Sequence, residues 1–93
     1  MDDAFVLRDP RSAQLLLTRF GFEERRKGEE CFRRGGVIEL IPEEPGVAYF
    51  ATVRNGKTQE VALEYHPPEG WAAVCTCPME TGCEHAVAAL RAL

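Results

Sequence analysis

Cys75-Thr-Cys77-Pro-Met-Glu-Thr-Gly-Cys83-Glu-His85 is the stretch that decides how this chain folds. Three thiols and one imidazole fall within eleven residues. Four soft or borderline ligands at this density are what a closed tetrahedral zinc site requires. Outward on the N-terminal side, Trp71-Ala-Ala-Val74 reads as a strand. Residues i and i+2 of a strand point to one side, so Cys75 and Cys77 can face one point. Pro78 stops the ladder because it has no N–H to donate. Pro78–Gly82 is short and rich in turn formers, and brings the chain back for the second ligand pair. Outward on the C-terminal side, Ala86-Val-Ala-Ala-Leu-Arg-Ala-Leu93 is rich in strong helix formers. Residues two apart on a helix point to nearly opposite sides. Cys83 is therefore expected at or before the N-cap, with His85 in the first turn. Free N–H groups at that helix start stabilise a thiolate. The spacing predicts one structural Zn²⁺ held by Cys75, Cys77, Cys83 and His85.

A disulfide framework is the competing reading of clustered cysteines. A Cys75–Cys77 bridge would span about 6–7 Å between Cα atoms along a strand, near the geometric limit. A Cys77–Cys83 or Cys75–Cys83 bridge leaves His85 without a role. Cys31 lies far upstream and reads as a small buried hydrophobe rather than a fifth ligand. His66, beside Pro67-Pro68, reads as a solvated loop residue.

Residues 75–90 resemble the SWIM-type zinc finger, with C-x-C, a short loop, then C-x-H leading into an Ala/Leu-rich helix. Pro78, Ala86, Ala89 and Leu90 fit the same pattern. Phe32-Arg-Arg-Gly35, Val37-Ile-Glu-Leu40 and the two following strands look like the lead-in of bacterial Swi/Snf-type helicase-like ATPases, which often carry this finger near their N-terminus. The resemblance implies a non-catalytic module that binds DNA or proteins, within a longer nucleic-acid-remodelling ATPase. Glu84 departs from the pattern, since relatives often have Lys between the last two ligands. That departure weakens nucleic-acid contact at this spot.

Ninety-three residues make one domain, 1–93. A chain this short buries a limited share of its surface, so a metal commonly helps it fold. Structural zinc contributes on the order of 10–16 kcal/mol of apparent binding energy in finger peptides. Zinc-coupled folding of at least the C-terminal third is therefore expected. The N-terminal residues do not read as a signal peptide. No stretch approaches the roughly 20 apolar residues of a membrane span. Three thiols kept available to metal point to the cytoplasm.

The formal net charge is −4. Residues 1–34 hold eight basic side chains against seven acidic, and residues 35–93 hold three against eight. DNA binding rests mainly on Lys and Arg neutralising phosphates, so the finger half cannot supply it alone. A basic cluster, Arg25-Arg26-Lys27 with Arg33-Arg34, is interleaved with Glu23, Glu24, Glu29 and Glu30. It reads as a solvated mixed-charge face, or alternatively as a contact for DNA or an acidic partner.

Asp9-Pro10 predicts a helix start, with Asp9 as N-cap and Pro10 at the first helical position. Leu15, Leu16, Leu17 and Phe20 supply its apolar stripe, and Gly21 is expected to close it. Phe22–Phe32 is expected to hold a strand interrupted near Lys27-Gly28. Val37–Ile41 reads as a strand ended by Pro42-Glu-Glu-Pro-Gly46. Val47–Val53 and Thr58–Tyr65 form a hairpin turned at Asn55-Gly56. A two-residue turn would set Phe50 opposite Val61. A three-residue loop with Gly56 in a bulge would set Tyr49 opposite Val61 and Val47 opposite Leu63; this register unites the richer apolar sets and is preferred. The fold class is α+β: an N-terminal helix, a small antiparallel sheet of three to five strands, a zinc knuckle and a C-terminal helix.

No catalytic constellation stands out, and four ligands at this spacing leave no open metal position. The chain is therefore expected to be a non-enzymatic docking module, contacting a partner protein or an adjacent ATPase domain, with no small-molecule substrate and no membrane. Direct DNA binding through Arg25, Arg26, Lys27, Arg33 and Arg34 is one alternative. A thiol-based redox or zinc sensor is another.

Overall fold

The hairpin around Gly56 forms the centre of a four-stranded antiparallel sheet of order β1-β2-β3-β4. The computed structural model describes residues 7–78 and 83–93. The strands are β1 (Val37–Glu44), β2 (Ala48–Asn55), β3 (Lys57–His66) and β4 (Gly70–Cys75). Two helices precede them, α1 (Pro10–Thr18) and α2 (Phe22–Arg33), and α3 (Glu84–Ala92) follows. The α+β class and the C-terminal helix are as the sequence predicts.

Apolar alternation sets which face of the sheet is inside. Tyr49, Ala51 and Val53 of β2, Val61 and Leu63 of β3, and Trp71, Ala73 and Cys75 of β4 are all buried in one cluster. Ala86, Val87, Ala88, Ala89 and Leu90 of α3 complete that cluster. Helix α3 touches every strand, so it is the lid of the core. Tyr49 and Trp71 stack with ring centroids 6.1 Å apart. Helix α1 is tied to the β4 edge: Trp71 donates its backbone N–H to Ser12 Oγ at 2.9 Å and its indole N–H to the Arg8 carbonyl at 2.7 Å.

The segment expected to hold an interrupted strand is instead one continuous helix, α2. Its Glu, Arg and Lys residues are good helix formers. Glu23 and Glu24 sit in the first turn and Arg33 in the last, which complements the helix dipole. Gly28 does not break it. Gly28 is buried where α2 crosses α3, and a Cβ there would lie 2.4 Å from Val87 Cβ.

Gly21 has an extended backbone (φ −63°, ψ 158°) and opens α2 rather than closing α1 in a left-handed turn. Asp9 precedes Pro10 as expected, but at φ 46° its carboxylate makes no cap hydrogen bond. Of the α1 stripe, Phe20 is buried and Leu16 and Leu17 pack partly against the core, while Leu15 is exposed. Strand β1 runs through Pro42 to Glu44. An edge strand tolerates proline because a missing N–H there costs no ladder bond.

The hairpin adopts neither expected register. Asn55 pairs with Lys57, Ala51 with Val61 and Tyr49 with Leu63. Gly56 alone, at φ 83°, takes the reversal. This register aligns Tyr49–Leu63–Ala73 and Ala51–Val61–Cys75 as cross-strand rows under α3. Matching three strands at once outweighs the two-strand apolar count that favoured the bulged loop.

The α2–α3 contact carries one well-formed ion pair. Arg91 grips Glu29 at 2.5 and 3.1 Å, and its guanidinium lies 5.5 Å from the Phe32 ring centre. This pair holds the Glu29 carboxyl below its ordinary value of 4.5. A depressed carboxyl stabilises the fold above its unfolded pKa, and the gain is lost as pH falls through the folded one. Glu29→Gln is thus expected to lower stability by up to about 1 kcal/mol at pH 7, as partly exposed pairs do. The gap between the two proteins should close as pH drops below about 4.5. Urea midpoints of both proteins across that range check it.

Candidate metal centre

Strand β4 ends at Cys75, which its pairing with Val61 fixes in register. Cys77 follows one i+2 step later, and its backbone N–H donates to Cys75 Sγ at 3.5 Å. On the other side, Cys83 is the N-cap of α3, with Sγ accepting the Ala86 N–H at 3.4 Å. His85 lies in the first turn, as expected from the i, i+2 argument. The turn predicted at Pro78–Gly82 lies mostly outside the described residues.

The four predicted ligand atoms lie within 4.8 Å of one another. Cys75, Cys77 and Cys83 are 3%, 6% and 1% exposed. No disulfide joins any of the four cysteines. Among the described residues, His85 Nδ1 is a buried side-chain nitrogen with no hydrogen-bond partner. An unsatisfied buried polar atom is costly, and a metal bond would remove the cost.

The sulfurs make the same case. Burial pushes the Cys75 thiol up to about 12 and raises Cys83 as well. Without a cation these groups stay protonated at neutral pH. A divalent ion reverses that, since a coordinating thiol is deprotonated outright. Among the described residues the cluster is a buried Cys3His set, which is consistent with zinc and could hold one ion.

Cys31 is outside this cluster. It is buried between α2 and the sheet, and its thiol points to the Arg54 carbonyl at 3.8 Å. Cys31→Ala is expected to leave the metal stoichiometry at one, checked by elemental analysis of the purified variant. His66 ends β3 and is exposed, 3.6 Å from Glu64.

The five basic residues singled out from the sequence lie on α2 and its C-terminal cap. Arg25, Arg26 and Lys27 follow one another around the helix at about 100° intervals, so they do not share a face. Arg26 pairs with Glu23 at 2.9 Å and Arg33 with Glu29 at 3.5 Å. Arg34 donates to Asn55 Oδ1 at 3.1 Å, and Asn55 in turn donates to the Glu84 carboxylate. That relay ties the β2–β3 turn to the residue between the last two ligands. Sequence reading missed it, because nothing in the spacing of Arg34, Asn55 and Glu84 signals that they meet.

No family model matches the chain, and no curated protein or solved structure is significantly similar to it.

Proposed function

We propose that this chain is a zinc-stabilised, non-catalytic docking domain. The observation that carries the reading is the buried Cys75, Cys77, Cys83 and His85 set, which offers the four ligands that a tetrahedral structural zinc uses. The metal would clamp the end of the sheet to the start of its lid helix. Such an ion builds a rigid small domain whose outer surfaces are then available for binding. The likeness of residues 75–90 to SWIM-type fingers supports a place in a nucleic-acid-remodelling protein, next to an ATPase domain in the cytoplasm.

Direct DNA binding draws less support. Arg26, Arg33 and Arg34 are already engaged by Glu23, Glu29 and Asn55. Burial of the three sulfurs likewise argues against a thiol sensor, because oxidation follows exposure and thiolate character. Titrating a duplex into the zinc-loaded chain at low and at moderate salt separates the readings. The docking reading expects no binding even at low salt, where phosphate contacts are strongest. Tight binding that weakens steeply with salt, and that Arg25→Ala with Lys27→Ala abolishes, would replace it with the DNA-binding reading.

A further inference from the structure

Helix α3 covers one face of the sheet, and the opposite face carries an ordered pattern of its own. Ile41 pairs with Phe50, Phe50 with Ala62, and Ala62 with Val74. These four therefore form one continuous apolar row running across all four strands. Ile41, Phe50 and Val74 are 48%, 39% and 53% exposed. Their alternate neighbours, such as Tyr49 and Val61, point the other way into the core. With neighbouring strands about 4.8 Å apart, the row is about 14 Å long.

Carboxylates flank the row on both sides. Glu39 and Glu43 stand two residues to either side of Ile41, and Glu60 and Glu64 do the same for Ala62. Two residues along a strand is about 7 Å. Glu39, Ile41, Glu43, Phe50 and Glu60 border one shallow depression of about 360 Å³. Arg54 lies one step beyond Thr52, toward the Gly56 turn, and His66 sits beside Glu64.

We propose that this face docks a basic amphipathic helix of a partner protein, with its apolar ridge on the Ile41–Val74 row and Lys or Arg side chains over the flanking carboxylates. The inference rests on the docking reading above and names its surface. Charge selects the occupant. A second copy presenting the same face would set Glu39, Glu43, Glu60 and Glu64 against their own equivalents, which repels. Nucleic acid would meet the same carboxylates. An added strand would pair along a sheet edge, whereas this row runs across the strands. A helix ridge of i, i+4, i+7 spacing covers about 10 Å, which the row accommodates, and a helix diameter of about 10 Å places its flanks over the two acidic rows.

The test uses the full zinc-loaded chain and a synthetic helix of about 18 residues, with a leucine ridge flanked by lysines. Amide shifts on titration are expected along the row Ile41, Phe50, Ala62 and Val74. Phe50→Ser, and separately Glu39→Gln with Glu60→Gln, should each weaken binding at least tenfold while retaining the metal. A peptide with glutamates for lysines, or serines for leucines, should not bind. Absence of binding, equal binding to the variants, shifts that map to another face, or a dimer of the free chain through this face would each overturn the proposal. Metal content is measured on the same samples. Failure with zinc bound removes this surface alone, whereas absence of zinc removes the domain reading beneath it.

Discussion

Replacing Cys83 by serine is expected to abolish metal retention and to collapse the fold well beyond the C-terminal helix. Serine is itself a good N-cap, so the hydrogen bond from the Ala86 N–H can survive the substitution. What is lost is the thiolate. Removing a group that bonds the metal should exceed the about 10–100-fold loss of affinity typical of outer-sphere changes. Metal binding in small domains is folding free energy, on the order of 10 kcal/mol. From the sequence, coupling to metal is expected in the C-terminal third. The structure extends it. Helix α3 supplies Ala86, Val87, Ala88, Ala89 and Leu90 to the one core and touches every strand. If its N-terminus is released, the inner face of the sheet loses its cover. Circular dichroism and a thermal melt of Cys83→Ser should show loss of both helical and sheet signal. A variant that melts like the parent and retains one metal would contradict this.

Gly28→Ala carries the second large expected effect, and its sign runs against helix propensity. On an exposed helix this change would stabilise by about 1 kcal/mol. Here the new Cβ would sit 2.4 Å from Val87 Cβ and 2.7 Å from the Glu84 carbonyl oxygen. Neither atom is the end of a flexible side chain, so α2 and α3 must move apart. Overpacking of this kind typically costs about 1–3 kcal/mol. The net expectation is a loss of about 2 kcal/mol, read from urea unfolding of the zinc-loaded protein. Arg26→Ala, on the exposed side of the same helix, should be close to neutral and serves as the comparison. Because Glu84 and Val87 lie beside His85, displacement of α3 should also weaken metal retention in Gly28→Ala. A neutral or stabilising result would mean the helices do not cross this closely.

The parts of this molecule legible in the sequence are those set by local spacing. The i, i+2 step from Cys75 to Cys77 works because a strand has period two. Cys83 and His85 are legible because a helix forbids that same step unless the first residue caps it. The boundary of α1 at Pro10, with Asp9 at the N-cap position, follows from fixed proline φ, although the Asp9 side chain makes no cap hydrogen bond. What the sequence conceals depends on contacts between distant residues. Gly28 reads as an interruption of a strand rather than part of a helix because its reason for being glycine is Val87, almost sixty residues away. The hairpin register is not legible in its two strands alone, because β4 adds Ala73 and Cys75 to the inner rows. Pro42 reads as an early end to β1 because edge position is a property of the whole sheet. The Arg34–Asn55–Glu84 relay has no local signature at all.

Native mass spectrometry of the anaerobically purified chain, before and after a chelator, tests the central claim most directly. The expected result is one zinc per chain with a narrow, low charge-state envelope, and after chelation a metal-free mass with a broad, high-charge envelope. A metal-free chain that keeps the compact envelope would show that Cys75, Cys77, Cys83 and His85 do not hold this fold together through an ion.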